Sequence, residues 1–132
     1  MLVLSVPAGL EGEARWSAVA TGLERWYRAQ AAEALAESVR FWSPAVGREP
    51  SRIIVRDQKR LWGSCAADGT LRFNWRLVQL APSLIDYVVV HELSHLRVRN
   101  HSSRFWTEVA RVQPDHAERR KALRRAGTRV VL

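Results

Sequence analysis

The feature of this sequence that most constrains its fold is an apolar segment that carries a histidine pair. Residues 84–96 read LIDYVVVHELSHL, so His91, Glu92 and His95 follow a run of valines. A helix that is apolar around most of its circumference is buried in a globular protein. Burying these polar side chains without partners costs on the order of several kcal/mol. The segment therefore predicts a buried helix that carries a polar or metal site.

Composition limits the class of protein further. The 132 residues are 47% hydrophobic and 26% charged, which favours one soluble globular domain over residues 1–132 and argues against disorder. The single cysteine, Cys65, cannot form an internal disulfide, which favours a reducing, cytoplasmic location. The apolar stretch at residues 1–6 has no basic segment before it, and no run is long enough for a membrane span.

The periodicity of apolar residues predicts an α+β fold that begins with a helix. Between residues 16 and 42 the apolar residues recur at three- and four-residue spacing, which is typical of an amphipathic helix. Pro44, Gly47 and Pro50 follow within a few residues. Because such residues interrupt helices, we expect a loop over residues 43–50.

The middle of the chain is β-prone. Short runs of this kind lie at residues 53–55, 60–66 and 71–75. Between the last two runs, Asp68 and Gly69 form a dipeptide that tolerates the positive φ of a tight hairpin turn. The sequence therefore predicts a small antiparallel sheet.

The rest of the chain is predicted to be helical. Pro82 stands at the first-turn position of the buried helix. Ser102 or Ser103 would cap a second helix. A last helix is expected over residues 114–126, closed by Gly127.

His91 and His95 lie one helical turn apart, so both imidazoles can bind the same metal ion. Glu92, adjacent to the first of them, would reach a water molecule on that metal. Catalytic zinc usually has three protein ligands. The pattern therefore calls for a third ligand.

His101 is the first choice for that ligand. The helix must end before it, and Asn100 accepts the left-handed conformation that reverses a chain at a helix end. Cys65 is the main rival, because a strand cysteine with an HExxH helix is the ligand set of peptide deformylase, a different amide hydrolase. Weaker candidates are Glu108, Glu118 and His116.

With three ligands in place the expected reaction is amide hydrolysis, in a protein or peptide or, as an alternative, in a non-peptide amide, because the metal and the base would be the same. Zn²⁺ would lower the pKa of its water and polarise the carbonyl, and Glu92 would transfer the water proton to the leaving amine. Tyr87 and Asn74 are candidates to stabilise the oxyanion. A strand edge of the sheet would hold the substrate.

The positive charge of the chain is concentrated at its C-terminal end. Residues 97–132 contain ten Lys and Arg against three acidic residues, a net charge of +7 out of +8 for the chain. Such a segment can form a surface that contacts nucleic acid, or simply a solvated basic helix face. The alternative hypothesis is thus a nucleic-acid-associated module with a structural zinc, whose C-terminal helices bind DNA or a DNA-bound protein. Structural zinc sites, however, are usually closed four-ligand sets rich in cysteine.

Several linked segments resemble the YgjP-like metallopeptidases, a zincin-like group thought to be related to the WLM and SprT-like proteases. They are KRLWGSC at residues 59–65, FNWRL at 73–77, IDYVVVHELSHL at 85–96, NHS at 100–102 and FW at 105–106. The resemblance runs from about residue 15 to 127. It implies a zincin-like fold, the zinc ligands His91, His95 and His101, and the catalytic base Glu92. It also implies that Cys65 belongs to a strand motif and is not a ligand.

Overall fold

The computed structural model describes residues 12–58 and 61–127, which form four helices, a short 3-10 helix and a three-stranded sheet. In chain order the elements are α1 (Gly12–Val46), β1 (Arg52–Arg56), β2 (Gly63–Cys65), β3 (Thr70–Asn74), the 3-10 helix (Trp75–Gln79), α2 (Pro82–Ser94), α3 (Ser103–Val112) and α4 (His116–Gly127). This order confirms the predicted α+β fold. The apolar stretch at residues 1–6 and the first residue of the predicted second strand, residue 60, lie outside the described residues. Among the helices described, none combines the length and the apolar character that a membrane crossing requires.

The first helix is longer than the sequence indicates, because it continues through Pro44 to Val46. Proline lacks the N–H that bonds the carbonyl one turn earlier, but its position in the last turn limits that loss. The helix ends at Val46, just before Gly47, whose φ of 82° is the left-handed conformation that glycine adopts without strain. The prediction of a loop from residue 43 is therefore wrong, because glycine and not proline ends the helix.

The sheet has the strand order β1-β3-β2 and is mixed. The predicted antiparallel hairpin of β2 and β3 is confirmed, with the carboxylate of Asp68 accepting the Thr70 N–H at 3.0 Å and Gly69 at a φ of 87°. β1, however, runs parallel to β3, so the prediction of a purely antiparallel sheet is wrong for this strand. The reason lies at the turn, where the Ser51 N–H donates to the Gly69 carbonyl and starts β1 beside the start of β3.

The third strand ends at Asn74, one residue earlier than the sequence predicts. The side chain of Asn74 accepts the N–H of Arg76 at 3.0 Å, which caps the 3-10 helix. Its amide nitrogen also donates to the carbonyls of Gln58 and Leu61. Because Trp75 leaves the strand at this point, its ring packs into the core, where it is 2% exposed.

α2 is the buried helix that the apolar segment predicts, and Pro82 is its first residue. Val89, Val90 and Leu93 are fully buried, and the helix contacts α1, α3, α4 and β2. On the α1 side, the hydroxyl of Ser38 donates to the Asp86 carboxylate at 2.7 Å. α2 therefore holds its histidines and glutamate at the centre of the fold.

Candidate metal centre

The three histidines of the predicted site come together at the C-terminal end of α2. The ring centroids of His91 and His95 are 5.0 Å apart, and that of His101 lies 5.3 Å from His91 and 4.7 Å from His95. One candidate ligand atom from each residue can be chosen so that all lie within 4.8 Å of one another. Over residues 12–58 and 61–127, no other set of three His, Cys, Asp or Glu side chains meets this spacing.

A tight turn after α2 brings His101 back to the helix. The backbone N–H groups of residues 95–97 donate to carbonyls three residues earlier, which narrows the last helical turn. The predicted left-handed conformation of Asn100 is wrong, because only glycines have a positive φ in the described part of the chain. Asn100 instead accepts the Ser102 N–H at 3.3 Å through its side-chain oxygen, just before α3 begins.

The spacing of the imidazole nitrogens fits a single metal ion. The Nε2 atoms of His95 and His101 are 3.1 Å apart. Two nitrogens that bind one tetrahedral zinc at about 2.0–2.1 Å lie about 3.3–3.4 Å from each other, which is close to the observed distance. Together with His91, these residues form a three-imidazole donor set, which suits zinc and other transition metals.

His95 is held in position by a hydrogen bond at one ring nitrogen and by stacking on one face of its ring. Its Nδ1 lies 3.0 Å from the Val98 carbonyl, so a proton on Nδ1 leaves Nε2 free to face His101. The fully buried ring of Phe105 stacks against it, with a centroid distance of 4.2 Å. Burial lowers the pKa of His95. The ring is thus kept neutral, which is the form that binds a metal.

Glu92 lies beside the histidines and under strand β2. Its side chain is buried, and Oε2 is 3.1 Å from Nδ1 of His91. A Cβ atom on Gly63 would lie 3.1 Å from Cγ of Glu92, closer than ordinary packing allows. Gly63 therefore leaves the space that the Glu92 side chain occupies. The sequence gives no sign of this contact, because the two residues belong to segments far apart in the chain.

The comparison with protein families decides the class of this protein. A model of the YgjP-like metallopeptidase domain matches residues 8–126. The chain belongs to the YgjP-like metallopeptidase family. It is therefore a hydrolase, and a peptidase of this family acts on protein or peptide substrates and requires a metal ion. The predicted resemblance is confirmed, whereas no curated protein matches the chain.

Two solved metallopeptidase structures are similar to this YgjP-like chain. The metallopeptidase zymogen of Pyrococcus abyssi abylysin is 25% identical, with a TM-score of 0.58 over 64% of this chain and 85% of that one. The zymogen of Methanocaldococcus jannaschii jannalysin is 21% identical, with a TM-score of 0.62 over 70% of this chain and 95% of that one. The similarity to abylysin agrees with the metallopeptidase class, and both similarities agree with the α+β fold.

Cys65, the rival ligand, lies in β2 and is half-buried. It does not belong to the group of candidate ligand atoms found in the described residues. Burial raises the pKa of its thiol, which disfavours the thiolate that would bind a metal. The deformylase-like ligand set that the sequence left open is therefore not formed.

The other candidates from the sequence also lie apart from the histidine cluster. Glu108 is paired with two arginines, and Glu118 is exposed on α4. His116 stacks on Trp106 with ring centroids 5.7 Å apart. The amide group of Asn74 is occupied by backbone groups, so this side chain serves the sheet and not an oxyanion.

A cavity of about 400 Å³ lies next to Glu92. Trp62 and Gly63 form one wall, Tyr87 and Glu92 of α2 form the second, and Leu123 of α4 contributes to the third. Burial raises the pKa of Tyr87, so its hydroxyl remains protonated at neutral pH. The cavity has the size of a small ligand pocket and lies directly beside the histidine cluster.

Proposed function

We propose that this protein is a zinc-dependent peptidase in which His91, His95 and His101 bind the metal and Glu92 is the general base. The observation that carries the proposal is a buried carboxylate beside three imidazoles whose candidate ligand atoms lie within 4.8 Å of one another. This combination fits the metallopeptidase family to which the chain belongs. Zinc is proposed over other metals because a set of three histidines is a frequent catalytic zinc site.

Different residues of the chain have different roles in the proposed peptide hydrolysis. A zinc ion held by His91, His95 and His101 would supply polarisation of the scissile carbonyl and a more acidic attacking water. Glu92 accepts the proton of that water and delivers it to the leaving amine. Phe105 and the Val98 carbonyl hold the ring of His95 in one orientation, so the donor set is arranged before substrate arrives.

Zinc content tests the ligand assignment, with the fourth histidine as a matched control. We expect one zinc per chain in the wild type and in His116→Ala, and substantially less in His101→Ala after dialysis, measured by elemental analysis. Added zinc should also raise the unfolding temperature of the first two proteins and not of the third, because a ligand that binds only the folded state stabilises it. Equal zinc in all three proteins would remove His101 from the ligand set.

Substitution of Glu92 tests the base. Glu92→Gln keeps the shape of the side chain but cannot accept the proton, so we expect zinc content to persist and peptide hydrolysis to fall by about 10²- to 10⁴-fold. Glu108→Gln, which neutralises a carboxylate of α3 outside the cluster, is the control and should retain activity. Wild-type activity in Glu92→Gln would contradict the assignment.

The alternatives from the sequence have less support. A structural zinc would need a fourth protein ligand, and no further candidate joins the three histidines in the part of the chain that the structure describes. The similarities to known proteins do not support DNA binding. Basic residues of the C-terminal helices also form ion pairs, as in Arg111–Glu108 and Arg119–Asp115. We retain two further proposals, a single domain over residues 1–132 and a cytoplasmic location, the latter only from the cysteine count.

A further inference from the structure

The cavity beside Glu92 has a charged wall that the proposed mechanism does not use. Arg120 and Arg124 lie one turn apart on α4, and both line the cavity that is also lined by His91 and Glu92. Burial raises the pKa of Tyr87, and the positive charges of Arg120 and Arg124 lower it by a smaller amount. Two cations thus face the same space as the proposed catalytic residues.

These two arginines are available to a ligand. In the described parts of the chain, neither forms an ion pair, whereas the neighbouring Arg119 is paired with Asp115 at 3.0 Å. The guanidinium of Arg120 lies 4.8 Å from the centre of the Trp106 ring, a cation–π contact that orients it without neutralising its charge. Among the described residues that line the cavity, the opposing charge comes from the carboxylate of Glu92 alone.

The remaining walls are apolar. Leu61 and Trp62 face the cavity from the segment that leads into β2, and Leu123 faces it from α4. A space of about 400 Å³ with apolar walls and a few fixed polar groups suits a side chain together with its neighbouring backbone. Arginine binds carboxylates through two parallel hydrogen bonds, so the pair would recognise a negative group at one edge of the space.

We propose that this cavity is a substrate subsite that binds a peptide carboxylate together with an adjacent apolar side chain. The proposal rests on the proposed peptidase function, because its occupant is the substrate of that reaction. The carboxylate belongs either to the C-terminus of the peptide or to an Asp or Glu side chain, and the arginines would bind both in the same way.

Binding to four fluorescein-labelled pentapeptides with a C-terminal Phe distinguishes these sources. One peptide ends in a free carboxylate and the second is its amide; the third and fourth are amides that carry Glu or Gln next to the Phe. Fluorescence anisotropy with zinc-loaded Glu92→Gln protein measures affinity without cleavage. We expect the acidic member of at least one pair to bind about tenfold more tightly than its neutral partner, since charge-assisted bonds are the strong ones.

Substitutions on α4 test whether Arg120 and Arg124 cause the tighter binding of the acidic peptides. Because Arg120 and Arg124 are exposed, Arg120→Gln and Arg124→Gln should fold normally. Each should bring the ratio of the affinities for the acidic and the neutral peptide close to one. Lys121→Gln removes the same charge from the same helix but does not line this cavity, so it should keep the preference. Equal binding of acidic and neutral peptides, or an equal loss in Lys121→Gln, would overturn the proposal.

Hydrolysis of the same peptides by the wild type separates this proposal from the proposed function. Cleavage without any acidic preference in binding would overturn the subsite and leave the peptidase in place. An acidic preference that depends on the arginines, without zinc-dependent cleavage, would support the subsite and count against the peptidase. The pair of peptides that shows the preference identifies the source of the carboxylate.

Discussion

The last two helices contribute to the same site in opposite ways. α3 buries Phe105 and Val109 completely, and Phe105 stacks against His95 of the histidine cluster. α4 contains no buried residue, yet Leu123 and Arg124 line the cavity beside Glu92. One helix supports the proposed metal ligands from inside the core, whereas the other borders the cavity from the surface.

The difference between α3 and α4 matches two requirements of a metallopeptidase site, namely fixed metal ligands and a pocket for substrate. The histidine rings need fixed neighbours, because metal affinity depends on the orientation of each ligand. A substrate pocket has no such dependence on the core, so its residues can change without loss of the fold. We therefore expect substitutions on α3 to affect stability and metal binding together, and substitutions on α4 to affect substrate affinity alone.

The largest effect is expected for Phe105→Ala. Removing a fully buried phenylalanine costs about 3–5 kcal/mol of unfolding free energy, and the lost stacking on His95 should weaken zinc binding roughly tenfold or more. Urea unfolding and zinc titration measure the two quantities. Phe41→Ala, in which the same side chain is 70% exposed, is the control and should change stability by less than about 0.5 kcal/mol. If Phe105→Ala had the stability of the wild type, the conclusion that α3, unlike α4, supports the metal ligands from the core would be wrong.

Some parts of this site could be predicted from the sequence because they depend on local spacing. His91 and His95 follow from helical periodicity, and the burial of α2 follows from its run of valines. His101 was predicted from the need for a third ligand, but the left-handed turn expected at Asn100 is not the turn that forms.

The features that the sequence did not predict depend on pairs of distant segments. The parallel direction of β1 is set by the bond from Ser51 to Gly69, and no pattern within either strand records it. The contact of Gly63 with Glu92 and the cavity beside them likewise join separate segments. Hydrophobic periodicity describes each element by itself, so it carries no information about such contacts.

Gly63→Ala, on the cavity wall that Trp62 and Gly63 form, is expected to have an effect between those of the α3 and α4 substitutions. The new methyl group would lie 3.1 Å from Cγ of Glu92 and 3.3 Å from the Arg72 carbonyl, so Glu92 must move. We expect kcat to fall about 10- to 100-fold, because small displacements of a catalytic group are costly, while zinc content stays at the wild-type level. The kcat is measured by peptide cleavage and the zinc content by elemental analysis, on the same preparation of protein.

Gly69→Ala is the matched control for that substitution. It adds the same methyl group in the hairpin turn, where a φ of 87° strains any residue with a Cβ, so it should cost about 1 kcal/mol of stability. Its kcat should be unchanged, because the turn lies away from the cavity-lining residues. If both glycine variants lost activity equally, the effect of Gly63 would be a general loss of stability and not a displacement of Glu92.

The smallest effect is expected for Leu123→Ala on α4. Leu123 is only half-buried, so the cost in unfolding free energy should stay below about 1.5 kcal/mol, and zinc binding should not change. Because the side chain forms part of the cavity wall, KM for a peptide with an apolar side chain should rise roughly three- to tenfold at constant kcat. Leu23→Ala, which truncates a half-buried leucine of α1 that does not line the cavity, provides the comparison. A fall in zinc affinity in Leu123→Ala, or the same KM change in both variants, would show that α4 supports the core of the site as α3 does.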